Sequence, residues 1–217
     1  MQKTVLVFTP HPDDETLWMW GTIAKMVAKW YKVCVCLACE QKDEKMKKIR
    51  WDEFCMAMST LWVKWDDRYF LEYEDWSLYK VDYSQLVGDI DKLIIQLKPD
   101  MVFIPEKSSH QDHKTIYDAC ITSLRISLSR WFNVPEVYTY DYPPLAWNVE
   151  EKTFNIVQDI TEFIDKKVQA FNQYVSQNSW DTRANEEGVK NYAASCWFWW
   201  WYKYAERFRM LRKLNDF

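Results

Sequence analysis

The sequence predicts an α/β protein: a doubly wound, mostly parallel sheet with helices on both faces, strand order about 3-2-1-4-5, and a C-terminal extension. Two observations carry this. Short apolar runs alternate with segments of helical periodicity, the pattern of consecutive βαβ units. Both motifs rich in histidine and aspartate also fall just after such runs, where the crevice of a doubly wound sheet opens. At 217 residues the chain suits a single domain over 1–217, burying roughly 70 to 75% of its unfolded surface.

The elements follow in order. Thr4 to Thr9 is an apolar run stopped by Pro10, the first strand, and a helix covers about Thr16 to Tyr31. Val33 to Ala38 is the second strand, and a charged amphipathic helix spans Glu44 to Leu61. Strand three lies near Arg68 to Leu71 and helix three near Tyr83 to Leu97. Pro99-Asp100 opens strand four, Met101 to Pro105. Helix four starts near Asp112 and reaches about Ser129, and Val137 to Tyr140 is a fifth strand. Beyond it, Phe154 to Val157 reads as an edge strand, Ile160 to Tyr174 as a helix, and Glu186 to Leu214 as a last helix.

Composition removes several function classes. Lys plus Arg is 28 against 32 for Asp plus Glu, a net charge of -4, whereas a nucleic-acid binder usually carries a basic excess. No window approaches the roughly 18 apolar residues of a membrane span. The most apolar stretch, Cys196 to Tyr202, stops at Lys203 and at helical spacing is read as core. The N-terminal apolar run is too short for a signal-peptide core. Six cysteines without an export signal indicate buried, reduced thiols in a cytoplasmic protein rather than a disulfide framework.

Glycine is scarce, 3 residues, whereas tryptophan numbers 14; an average chain is ~7% glycine. Several tryptophans stand where backbone physics favours glycine. Trp30 follows a helix and precedes a strand, the position that closes a helix with left-handed backbone, and Trp62 ends the next helix in the same way. Asp75-Trp76-Ser77 resembles an Asp-Gly turn with its glycine replaced. The expectation is a gene in which one codon means glycine but has been translated as tryptophan; a naturally tryptophan-rich protein is the alternative.

All 3 histidines fall in two acidic motifs. His11 lies in Pro10-His11-Pro12-Asp13-Asp14-Glu15 after strand one, and the others lie in His110-Gln111-Asp112-His113 after strand four. Strands one and four are neighbours in the predicted order, with connections leaving toward opposite faces, so the two motifs are expected to meet. Two imidazoles and a carboxylate with one open position form the ligand set of a catalytic zinc site, with iron as the alternative metal. His11, Asp14 and His113 are the expected ligands of one ion per chain. Adjacent carboxylates cannot point the same way, which leaves Asp13 to face a water as general base. His110 is left to donate to a developing oxyanion or, as a cation, to protonate a leaving group. No cysteine lies near either motif in sequence, which weakens a Cys-His nucleophile.

These residues resemble a known family. Pro-His-Pro-Asp-Asp-Glu with Thr16-Leu17 after it, the Gly21-Thr22-Ile23-Ala24-Lys25 helix and the later His-x-Asp-His are similar to the LmbE-like/PIG-L zinc-dependent N-deacetylases. Ser176-Gln177, Tyr204-Ala205-Glu206 and Phe208 also fit. The resemblance implies a Rossmann-like fold and removal of an acetyl group from N-acetylglucosamine units of small glycoconjugates. It implies His11, Asp14 and His113 as zinc ligands, Asp13 as base, and His110 as the electrophilic or acid partner. Arg50 matches an arginine placed near the substrate, and Asp112 is assigned to orienting a histidine or capping helix four. Trp18, Trp20, Trp30, Trp62, Trp76, Trp197 and Trp201 stand where the family tends to carry glycine, and Trp18 and Trp20 would crowd the helix behind the metal.

Metal-assisted hydrolysis of an N-acetyl amide by metal-activated water is the leading expectation. The competing ones are a metal-containing sugar or nucleotide binding module without turnover, and another metal-dependent ester or amide hydrolase. Intact Asp13 argues against the first, because a structural site needs no base. Two-metal phosphoesterases need more carboxylates than this site offers. The expected partner is a small-molecule N-acetylated sugar conjugate, with homo-oligomerisation left open.

Overall fold

A computed structural model describes residues 2–126, 132–141, 154–177, 185–196 and 201–214. Its elements are β1 (Thr4–Thr9), α1 (Asp14–Ala28), β2 (Lys32–Glu40), α2 (Glu44–Thr60), β3 (Arg68–Glu74), α3 (Tyr83–Leu97), β4 (Met101–Pro105) and α4 (Gln111–Ser123). They continue with β5 (Glu136–Tyr140), β6 (Ile156–Asp159), α5 (Ile164–Phe171), α6 (Glu186–Ser195) and β7 (Ala205–Lys213). The strands form one sheet in the order β3-β2-β1-β4-β5-β7-β6. The first five are parallel, as the sequence predicts, and β7 runs antiparallel between β5 and β6.

β1 is buried on both faces, which is why it reads as an unbroken apolar run. Val5 and Val7 enter the core beneath α1, α2 and α5, while Leu6 and Phe8 enter the one beneath α3 and α4. Phe54 and Met58 of α2, with Leu61 just past its end, face the first core, and Leu86, Ile90, Leu93 and Ile94 present one stripe of α3 to the second. The helices change face between β3 and β4, so the connections after β1 and β4 diverge and leave a crevice at their carboxyl ends. No described helix is long and apolar enough to cross a membrane, and all six cysteines are free and buried.

The C-terminal third corrects the sequence reading. The expected helix from Glu186 to Leu214 is a short helix, α6, followed by a strand, β7. Ala205–Lys213 is rich in helix formers, but Tyr138, Thr139 and Tyr140 of β5 pair with it, and an open sheet edge outweighs a weak propensity. The helix expected over Ile160 to Tyr174 is a 3-10 turn, Thr161–Phe163, leading into α5, and α4 ends at Ser123 rather than near Ser129. Ser127, Ser129 and Trp197 lie outside the described residues.

β7 also holds α1 in place. The Glu206 carboxylate is fully buried and accepts the backbone N–H groups of Gly21 (3.0 Å) and Thr22 (2.8 Å). Buried Lys167 of α5 donates to the same carboxylate at 2.5 Å. Gly21 is required here, because a Cβ would lie 2.7 Å from Ile160. Replacing Glu206 by Leu takes its carboxylate partner from the buried Lys167 ammonium, so the expected loss is about 3 to 5 kcal/mol. The double variant Lys167→Met/Glu206→Leu is expected to recover part of it. Denaturant titration checks this, and a single variant as stable as the parent would show that the pair carries no such role.

Candidate active site

β1 ends at Thr9, whose hydroxyl donates to the His11 carbonyl at 2.9 Å, and the Cys39 N–H of β2 donates to the Pro10 carbonyl at 2.9 Å. These bonds turn the chain sharply over the sheet edge. Asp13 is the N-cap of α1 with φ 118° and does not cap the helix with its side chain. A non-glycine residue in that region is strained, a condition found most often at functional sites. Asp14 opens α1, and its Oδ2 accepts the His11 N–H at 3.1 Å.

α4 supplies the other half. His110 is its N-cap, with Nδ1 accepting the Asp112 N–H at 3.3 Å, and His113 is fully buried in the first turn. The two motifs meet. Asp14 Oδ2 lies 3.0 Å from His11 Nδ1 and 3.0 Å from His113 Nε2. The three imidazoles form a triangle with ring centroids 4.9, 5.0 and 5.2 Å apart, and one nitrogen from each lies within 4.8 Å of the others. Nitrogen and oxygen ligands on a tetrahedral ion, bonded at about 2.0 to 2.2 Å, sit roughly 3.3 Å from one another. The spacing at Asp14 is close to that, and the neutral-imidazole and carboxylate donors suit zinc or ferrous iron, so the residues fit a divalent metal.

The surroundings explain the charge states. His11 Nε2 lies 3.1 Å from Asp112 Oδ2 and 3.0 Å from Asp75 Oδ1. Burial opposes a charge on His11, but its hydrogen bonds to the Asp112, Asp14 and Asp75 carboxylates overcome it and raise its pKa well above the ordinary value. Burial pushes the Asp14 carboxyl up, whereas His113 and His11 pull it far below the usual carboxylate range. His110 is pushed down to about 4 by burial and by the neighbouring His11 and His113. It is therefore neutral at pH 7, which departs from the cationic acid considered from the sequence. With Nδ1 accepting from the backbone, its proton sits on Nε2.

Asp112 orients His11 from 101 positions away, and it also accepts the N–H groups of Trp76 (2.7 Å) and Leu78 (3.1 Å). The cap of α4 is His110 rather than Asp112. Arg50 is buried, with Nη2 2.5 Å from the Pro12 carbonyl and 3.4 Å from Asp13 Oδ2, so it braces the strained turn. Two neighbours were not evident from sequence. Asp75 follows β3, and an acid just past a parallel strand was the available signal. Cys39 reaches the cluster through the sheet, with His11, Cys39 and Asp112 donors within 4.8 Å of one another. Burial pushes the Cys39 thiol up to about 12, so it is protonated and a poor nucleophile.

The sequence profile described as PIG-L, GlcNAc-PI de-N-acetylase, matches residues 6–124. A probable N-acetyl-alpha-D-glucosaminyl L-malate deacetylase 2 of Bacillus subtilis is 28% identical over 209 residues, covering 88% of this chain and 90% of that protein. The N,N'-diacetylchitobiose deacetylase of Pyrococcus horikoshii superposes with a TM-score of 0.78 at 25% identity, over 96% of this chain and 84% of that one. The zinc-inhibited form of teicoplanin deacetylase Orf2 shares the fold, with a TM-score of 0.80 at 16% identity over 99% and 100% of the two chains. The matched profile spans both motifs and more than half the chain, and on that ground the protein belongs to the PIG-L (LmbE-like) family.

Proposed function

We propose that this protein is a metal-dependent hydrolase that removes the acetyl group from an N-acetylglucosamine-containing small glycoconjugate. The observation that carries the reading is the meeting of His11, Asp14 and His113 beside a strained Asp13, in a chain whose relatives are named as deacetylases of such sugars. His11, Asp14 and His113 would hold one divalent ion, zinc by preference and iron as the alternative. Such an ion supplies Lewis-acid polarisation of the amide carbonyl and acidifies a water.

The remaining work falls to the chain. Asp13 takes the proton of the attacking water on its carboxylate and returns it to the amine nitrogen as the C–N bond breaks, and the Arg50 guanidinium at 3.4 Å holds that carboxylate in place and would border the sugar. Asp112 fixes the His11 ring through Nε2, which leaves Nδ1 directed at Asp14. His110, neutral, donates from Nε2 to the oxygen that becomes negative as the carbonyl is attacked. Incubating metal-loaded protein with a panel of N-acetylglucosaminyl conjugates and measuring released acetate tests the reading. Absence of acetate from every member of the panel at full metal occupancy would refute it.

His110→Ala is expected to retain metal and to lose about 10² to 10³ in kcat, the size of an oxyanion donor's contribution. Because burial and the neighbouring imidazoles push His110 down to about 4, the neutral imidazole prevails above about pH 5 and still donates from Nε2, so no basic limb in kcat/KM belongs to it. A basic limb present in the parent and abolished in His110→Ala would contradict the neutral assignment.

A further inference from the structure

We infer that positions 30, 62, 76 and 201 belong to glycine, that the tryptophans there come from one codon that the source organism reads as glycine, and that glycine at 76 opens the His110 side of the site. The backbone carries the first part. Trp30, Trp62, Trp76 and Trp201 have φ of 64°, 63°, 60° and 64°, while no glycine of the chain has a positive φ. None of the few glycines uses the left-handed backbone open to it, whereas tryptophans hold four of the seven positive-φ positions among the described residues, Asp13, Glu72 and Lys98 holding the others.

Each described setting asks for glycine on its own terms. α1 closes with Trp30 N–H donating to the Val27 carbonyl (3.0 Å) and Tyr31 N–H to Met26 (3.1 Å). α2 repeats the pair, with Trp62 N–H to Ser59 and Val63 N–H to Met58, both 3.0 Å. That is the Schellman closure, whose left-handed residue is usually glycine because it lacks a Cβ. In the turn from Glu74 to Ser77, Trp76 is the third residue and the only one of the central two with positive φ, the type II position that requires glycine or asparagine. The indoles gain little in return. Trp30, Trp62, Trp76 and Trp201 are 82%, 48%, 62% and 96% exposed. Two contacts compensate in part, Lys166 Nζ lying 4.6 Å from the Trp62 ring and the Trp76 ring meeting His110; a cation–π contact at an exposed site is weaker than the left-handed strain.

Position 76 bears on the chemistry. The Trp76 ring lies over His110, centroids 4.6 Å apart, while its backbone N–H serves Asp112 at 2.7 Å. Glycine would keep that N–H and remove the ring that packs against His110. The identity of the four residues is independent of the proposed reaction; only the catalytic consequence rests on it.

Tandem mass spectrometry of the protein from the cells that carry the gene is the direct test. Glycine at the four positions is expected, and tryptophan there would overturn the first part. Recombinant Trp30→Gly and Trp201→Gly should each raise the folding equilibrium constant about 5- to 30-fold, and Trp62→Gly somewhat less. The matching Ala variants remove the indole but keep a Cβ, so they should give no such gain; equal responses to Gly and Ala would also overturn it. For the opening, Trp76→Gly should raise the rate at which diethyl pyrocarbonate modifies His110 several-fold in metal-loaded protein. Acetate release should rise with metal content unchanged. An unchanged modification rate would overturn the opening whether or not the protein proves to be a deacetylase. Faster modification with unchanged or lower acetate release would leave the opening standing and overturn its catalytic consequence.

Discussion

Asp13→Asn is expected to lower kcat by about 10² to 10⁴ with the metal still bound. The substitution is close to isosteric, and asparagine tolerates positive φ better than most residues, so the turn with φ 118° should survive. What disappears is the basic oxygen that accepts a proton from water. The ligand set of His11, Asp14 and His113 is untouched, which separates this variant from one that empties the site. Steady-state acetate release and elemental analysis on the same sample check both halves. Normal turnover would move the base elsewhere, with Glu15 the next carboxylate in sequence, and loss of metal would make Asp13 a ligand.

His113→Ala is expected to abolish both metal retention and turnover. His113 is fully buried, and its Nε2 meets Asp14 Oδ2 at 3.0 Å. Truncation removes one of three proposed ligands, so affinity should fall by more than the ~10- to 100-fold that loss of an outer partner costs. Full occupancy in this variant would contradict the ligand assignment. The parent protein offers a second reading of the same site. Metal-free His11 has a raised pKa because three carboxylates hold its proton, and a metal must displace that proton. Binding should therefore release protons near neutral pH and weaken as pH falls, which calorimetry in buffers of different ionisation enthalpy measures.

Much of the fold was legible because its central strands are buried on both faces. A strand such as Val5 to Phe8 must be apolar throughout, and Pro10, Trp30 and Pro99 mark where elements stop. The motifs were legible because a doubly wound sheet delivers ligands to the carboxyl ends of its strands, so position along the chain is enough to bring His11 and His113 together. The left-handed positions at Trp30 and Trp62 were legible too, since a helix that stops abruptly and reverses toward the sheet closes on such a residue.

Other features depended on partners far away in sequence. Ala205–Lys213 carries the composition of a helix, and only the open edge of β5 makes it a strand. Asp75 and Cys39 stand beside His11 because parallel strands end at one level, a register that no local pattern encodes. Glu206 is buried because Lys167 and two backbone N–H groups of α1 meet it in the interior. His110 is neutral because burial and two neighbouring imidazoles disfavour its charge. The sequence by itself determined which residue types were available and at which strand ends; the tertiary structure decided which of them touch, and contact and burial set charge, orientation and role.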